Sequence, residues 1–181
     1  MSPSTEIRPL NAGEFKRFAD VFQQAFSHSE GEAEGAALHK LVNYLLQTTP
    51  AADLRAFAAV ASGDEIVGGV VYTRMWSEGS SVRVWLLSPM AIIPSHQRQG
   101  LGRQLLRESL PLLPADLIMT YGDIRFYGRL GFQQVSEEVI RPPYPLQMPE
   151  GWLALSPNGD QWPVLANPLQ CVESFRQPEI W

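Results

Sequence analysis

The stretch Ile92-Ile93-Pro94-Ser95-His96-Gln97-Arg98-Gln99-Gly100-Leu101-Gly102-Arg103 runs from an apolar strand pattern, through a glycine-containing turn, into an amphipathic helix pattern. Its chemistry is that of anion binding. The first turn of a helix leaves backbone N–H groups unpaired and carries the positive end of the macrodipole. Gly100 and Gly102 remove the side chains that would hold a pyrophosphate away, and Arg98 and Arg103 add charge-assisted donors. Two glycines at a helix start also serve tight packing against a sheet, so the turn alone names no ligand. A G-x-x-x-x-G-K-[ST] phosphate loop is absent, and a dinucleotide fingerprint would need a third glycine where Leu105 stands.

The elements that must position this turn follow from periodicity. TEIRPL alternates as a short strand, and Asn11 with Glu14 has capping-box spacing ahead of a helix carrying Phe15, Phe18, Ala19, Val21, Phe22 and Phe26. The glycines and charges of HSEGEAEG read as a loop, and a second helix is expected over 36–46, ended by Pro50. Three β-rich runs follow, LRAFAAVAS, EIVGGVVYTRMW and SVRVWLLSPMAII, separated by SGD and SEGSS, and they read as an antiparallel meander. A helix is expected from Gly100 to Leu110, then a buried strand DLIMTY, a short helix over 124–130 and a last strand candidate in FQQVSE. The expected order is β, α, α, β, β, β, α, β, α, β.

From Arg141 onward, closely spaced prolines leave room only for loops and short strands such as WLALS. Trp152, Trp162, Trp181 and their apolar neighbours carry too much area for a solvated tail, so the segment 141–181 is expected to pack on the core. At 181 residues, against a prior of roughly 150 per domain, a single domain over 1–181 is the expectation.

Composition removes several classes of function. Fourteen Lys and Arg against 19 Asp and Glu give a net charge of −5 without a basic block, so nucleic acid is not an expected partner. A single cysteine, Cys171, excludes an internal disulfide, and three dispersed histidines group no metal site; no metal is expected. Residues 1–10 lack the apolar core of a signal peptide and no run is long enough to span a bilayer, so a cytoplasmic protein without membrane association is expected.

Gln97, Gly100 and Gly102 satisfy Q/R-x-x-G-x-G/A, and Tyr127-Gly128-Arg129-Leu130-Gly131-Phe132, thirty residues downstream of the turn, satisfies Y-x-x-x-G-F. Together they resemble the GNAT superfamily of N-acetyltransferases. The Gly122-Asp123 pair, FYGRLGF and the proline-rich end look like its bacterial YhbS-like subgroup. The resemblance is sharp from Leu86 to Phe132 and topological elsewhere. It implies an α/β GNAT fold, a mixed and mostly antiparallel sheet with splayed central strands flanked by helices. It also implies acetyl-CoA as cosubstrate, held by Met90, Ala91, Ile92 and Ile93 of the fourth strand and by Gln97, Arg98, Gln99, Gly100, Leu101, Gly102 and Arg103. Pro89 fits a strand edge there, or a simple strand end.

The reaction implied is direct attack of an amine on the thioester, through a tetrahedral oxyanion, to an amide and a thiolate. Backbone N–H groups near Met90 or Ala91 would hold the oxyanion. Tyr127 stands at the general-acid position, where a purely structural role in an aromatic core is the competing account. Asp123 is either a base or the cap of the next helix. Glu30, Glu32 and Glu34, in a region that borders the acceptor site in the family, are either a solvated loop or a device that concentrates a cationic amine, with Tyr144 and Trp152 closing over its apolar part. The expected protein is an N-acetyltransferase, monomer or homodimer. The alternative is a GNAT-like module that binds CoA or a protein without turnover.

Overall fold

The computed structural model describes residues 4–159 and 161–181. Its main elements are β1 (Glu6–Pro9), α1 (Phe15–Glu30), α2 (Glu32–Thr48), β2 (Leu54–Ala61), β3 (Glu65–Ser77), β4 (Val84–Ile92), α3 (Leu101–Ser109), β5 (Leu117–Tyr121), α4 (Ile124–Tyr127), β6 (Gln133–Gln134), β7 (Trp152–Leu155) and β8 (Leu169–Cys171). The strand order is β1-β2-β3-β4-β5-β7-β6, with β8 on β3. The result is a mixed α/β fold built on an open, mostly antiparallel sheet with helices against it. All ten expected elements are present. β8 is additional: three residues after Pro168 are too few to show a period.

The chain forms two compact units. One takes the chain up to Val71 and again Pro89–Leu113; the other takes Tyr72–Ser88 and Pro114–Trp181.

In the first unit, β1 pairs antiparallel with β2 from Glu6↔Val60 to Pro9↔Phe57. Gly63 and Asp64 both have positive φ, +76° and +60°, the geometry of the tight turn that SGD predicts between β2 and β3. α1 buries Phe18, Ala19, Val21, Phe22 and Ala25, the three-and-four spacing of one helical face. Gly69 on β3 is required by close approach, since a Cβ there would lie 2.6 Å from Phe18 Cζ.

The expected loop over HSEGEAEG shrinks to one residue. Gly31, at φ +103°, turns the chain alone, α1 reaches Glu30 and α2 begins at Glu32. Glu32 and Glu34 occupy the first turn of α2, where carboxylates meet the positive end of the helix dipole, so acids that read as loop formers are helix starters here. Gly35 then lets the helices close, because a Cβ would stand 2.6 Å from Gln23 O.

Glu14 is the buried acid of this unit. Arg8 donates to both of its oxygens at 2.6 and 2.8 Å, the Asn11 backbone N–H donates at 3.1 Å, and Arg17 donates at 3.3 Å. These donors, the Arg8 hydrogen bonds first, hold its pKa down at about 2 from an ordinary 4.5. A depressed folded-state pKa means that the unfolded chain takes the proton first as pH falls. The stabilisation is therefore complete above about 4.5 and is lost as pH drops toward about 2. Glu14→Gln is expected to cost roughly 1.5–3 kcal/mol at pH 7, the range for a hydrogen bond to a charged group. Urea unfolding of both proteins at pH 7 and near pH 2 checks this: the gap between them narrows at the acid end, and a gap independent of pH refutes it.

In the second unit, β4 runs parallel to β5 from Val84↔Leu117 to Leu87↔Thr120, and β5 runs antiparallel to β7 from Ile118↔Leu155 to Tyr121↔Trp152. β6 joins β7 through Gln133↔Ala154 and Gln134↔Leu153, so β7 lies between β5 and β6. The proline-rich segment packs within this unit. Trp152, Leu153, Leu169, Phe175 and Trp181 are all buried, and the Trp181 indole N–H donates to Phe175 O at 2.9 Å.

Candidate active site

In the first unit, the end of β4 leads directly into the turn. Ala91, Ile92 and Ile93 are buried, Met90 is half-buried, and the Ile93 N–H donates to Val67 O at 2.9 Å. After Pro94 the chain makes a short 3-10 turn, then twists twice into the left-handed region, at Arg98 (φ +61°) and Gly100 (φ +79°). Successive N–H groups in such a twisted segment face one concavity, an anion-binding geometry. α3 opens immediately beyond, its first helical bond running from Gln104 N to Gly100 O at 3.0 Å. The N–H groups of Leu101, Gly102 and Arg103 precede that bond and have no partner within the helix.

Leu101, Leu105 and Leu106 bury the other side of α3 and set its direction. Arg103 Nη2 lies 4.0 Å from the position a Cβ on Gly100 would take. Among the described residues neither Arg98 nor Arg103 has an ion-pair partner. Two free guanidiniums, three free N–H groups and a glycine with φ +79° form a cradle that a phosphate group fits.

Gln97 has a role that its sequence context does not announce. Its Nε2 donates to Ile92 O at 2.8 Å, closing the turn from within, and Gln99 Nε2 repeats the device on Ser95 O at 3.2 Å. Gln97→Leu, which removes that donor, is expected to cost about 0.5–1.5 kcal/mol. A shifted urea midpoint reads it out, and an unchanged midpoint removes the brace.

The second unit holds Tyr127 and Asp123. Asp123 takes the capping role that the sequence left open: its Oδ1 accepts from Arg125 N at 2.8 Å, and its Oδ2 pairs with Arg125 Nη2 at 2.8 Å. Arg125 lowers its pKa, through the side-chain hydrogen bonds above all. α4 then presents Tyr127 against the end of β5. A Cβ on Gly122 would stand 2.7 Å from Tyr127 Cε2, so this glycine is what lets the ring lie on the backbone. Phe126 and Phe132 hold the ring edge-on, with centroids 5.0 and 5.6 Å away.

Burial raises the Tyr127 pKa above its ordinary 10, against a smaller opposite effect of its hydrogen bond with Thr120. Thr120 Oγ1 donates to Leu87 O at 2.9 Å. Neither Thr120 nor Gly122 is assigned a part by the sequence motifs. No spacing rule marks a residue whose part is to touch a ring.

The acceptor-side residues fare unevenly. Glu30 ends α1, Glu32 and Glu34 open α2, and all three are exposed. Tyr144 is half-buried. Trp152 is 0% exposed: its indole N–H donates to Ile140 O at 2.8 Å and its ring packs edge-on against Trp181 at 5.9 Å. The expectation that Trp152 closes over an acceptor is therefore corrected to a core role, because both its ring and its polar atom are already engaged.

Residues 53–134 match the acetyltransferase (GNAT) domain family, and the fold is that of solved GNAT structures. Among relatives, it is 31% identical over 112 residues to the uncharacterized N-acetyltransferase YjhQ of Escherichia coli, covering 59% of this chain and 61% of YjhQ. It is 30% identical over 91 residues to the uncharacterized N-acetyltransferase YhbS of Escherichia coli, covering 48% and 54%. The matches thus span less than two thirds of either relative. The crystal structure of Escherichia coli YhbS in complex with CoA superposes with a TM-score of 0.79 at 21% identity, covering 98% of this chain and 94% of that one. A Brucella melitensis GNAT acetyltransferase in complex with acetyl-CoA superposes with a TM-score of 0.72 at 20% identity, covering 95% and 98%.

Proposed function

We propose that this protein is an N-acetyltransferase that uses acetyl-CoA to acetylate a primary amine of a small molecule or peptide by direct attack. The observation that carries the reading is the turn from Gln97 to Arg103, twisted left-handed at Arg98 and Gly100 and opening a helix whose first N–H groups are unpartnered. A pyrophosphate of CoA fits those donors. The solved GNAT structures with CoA and acetyl-CoA support the choice of ligand.

Acetyl-CoA supplies an activated thioester whose acetyl group passes to the amine nitrogen as the carbon–sulfur bond breaks. The chain has three tasks. Backbone N–H groups at Met90 and Ala91 hold the oxygen that becomes negative, since donors fixed beforehand stabilise charge as it develops. Tyr127 gives its proton to the departing sulfur, and a phenol whose pKa is raised keeps that proton at neutral pH. The amine arrives neutral or loses its proton to water, because pairing with Arg125 lowers the basicity of the Asp123 carboxylate, and the proton that the nitrogen sheds as the amide forms passes through water to restore the Tyr127 phenol. Glu30, Glu32 and Glu34 raise the local concentration of a cationic amine.

A binding module without turnover is the second reading, favoured by the free donors alone, since CoA capture needs no acid. A library of amines offered with acetyl-CoA and read by free-thiol release separates the two. Amine-dependent thiol release supports the enzyme; CoA binding with no release on any amine supports the module.

A further inference from the structure

The second unit holds a pocket of about 610 Å³ that acetyl transfer as proposed leaves without a task. Its walls are built from the end of β5, α4, the segment before β7 and the last residues of the chain. They are held in place. Tyr121 Oη accepts from Met148 N at 2.7 Å, Gly122 N donates to Gly151 O at 2.9 Å, and Gln147 N donates to Trp181 O at 3.0 Å. A Cβ on Gly151 would lie 3.0 Å from the Tyr121 ring, so the two sides meet as closely as the backbone allows.

Two properties describe what would fill it. Ile124, Met148 and Ile180 all line this one cavity, and they are 39%, 60% and 37% exposed. Single exposed apolar side chains need no explanation, but three sharing a concave wall with Tyr121 and Trp181 make an apolar binding surface. The charged residues lining the same pocket are three acids, Asp123, Glu150 and Glu179, and one base, Arg125. Arg125 is paired with Asp123 at 2.8 Å, whereas Glu150 and Glu179 have no ion-pair partner among the described residues. The uncompensated charge is negative.

We infer that this pocket binds a small organic amine carrying an apolar body. The body lies against Met148, Ile180 and Trp181, and the ammonium faces Glu150 and Glu179. Such binding needs no acyl donor, so it stands or falls independently of acetyl transfer.

The test titrates phenethylamine into the full chain without CoA and follows the Trp181 indole N–H resonance by NMR. Phenethyl alcohol, of the same shape without the charge, is the comparator. A saturable shift is expected, with the alcohol at least about threefold weaker, the scale of two exposed charge pairs. Glu150→Gln with Glu179→Gln removes that difference, and Ile180→Gln weakens amine and alcohol alike. An unmoved Trp181 resonance, equal affinity for amine and alcohol, or a charge preference that survives the double substitution overturns the inference. Both glutamates are exposed, so loss of folding is readily told apart by the unchanged spectrum of the remaining residues.

Discussion

Tyr127→Phe is expected to leave CoA affinity intact and to lower turnover on any accepted amine by about 10²–10⁴, the usual effect of losing a general acid. The ring stays where it is, because Gly122, Phe126 and Phe132 contact its carbon frame and none of them needs the hydroxyl. What is removed is the hydroxyl, with its proton and its hydrogen bond to Thr120. Calorimetry with CoA and steady-state kinetics on the same preparation separate binding from chemistry. The pH profile adds an independent reading: a phenol whose pKa is raised by burial keeps its proton past pH 10, so the alkaline fall in wild-type kcat lies above that value. Unchanged kcat in the phenylalanine variant would place Tyr127 among the structural aromatics.

Gly102→Val is expected to abolish CoA binding while leaving the fold in place. Glycine is a poor helix former, and replacing it inside α3 does not by itself cost helical stability. The added side chain would instead stand among the free N–H groups that a phosphate must approach. Losing two charge-assisted hydrogen bonds, at roughly 1.5–3 kcal/mol each, corresponds to about 10²–10⁴ in affinity. Calorimetry reads the affinity and thermal unfolding reads the fold. Equal CoA affinity in a folded Gly102→Val would falsify the cradle. Lost affinity together with lost folding is resolved by Gly102→Ala, the smallest step in the same direction.

The element order was legible in the sequence because each element carries its own period. Phe18, Val21, Phe22 and Ala25 recur at helical spacing, and the β-rich runs stop at glycine-containing turns whose φ values are positive as expected at Gly63 and Asp64. Where an element was shorter than its period, as with β8, only pairing with a neighbouring strand revealed it. The expected loop between α1 and α2 is a helix start for a related reason: acids and glycines are common to loops and to helix starts, and only the chain path shows that Gly31 alone makes the turn.

By itself the sequence determined the local chemistry: a glycine turn at the head of a helix, a tyrosine four residues beyond an aspartate, and a resemblance carried by two motifs thirty residues apart. These are short-range properties of consecutive residues, and they survive without coordinates. The tertiary structure decided how each polar group is spent. It committed the Gln97 amide to Ile92 O, the Asp123 carboxylate to Arg125, the Thr120 proton to Leu87 O and the Trp152 indole to Ile140 O. A donor or acceptor satisfied by a partner distant in sequence, as Thr120 is by Leu87 and Trp152 by Ile140, leaves no mark in the residues beside it. For that reason the pocket lined by Glu150, Ile180 and Trp181, drawn from segments as far apart as Tyr121 and the chain end, is visible only once the chain has folded.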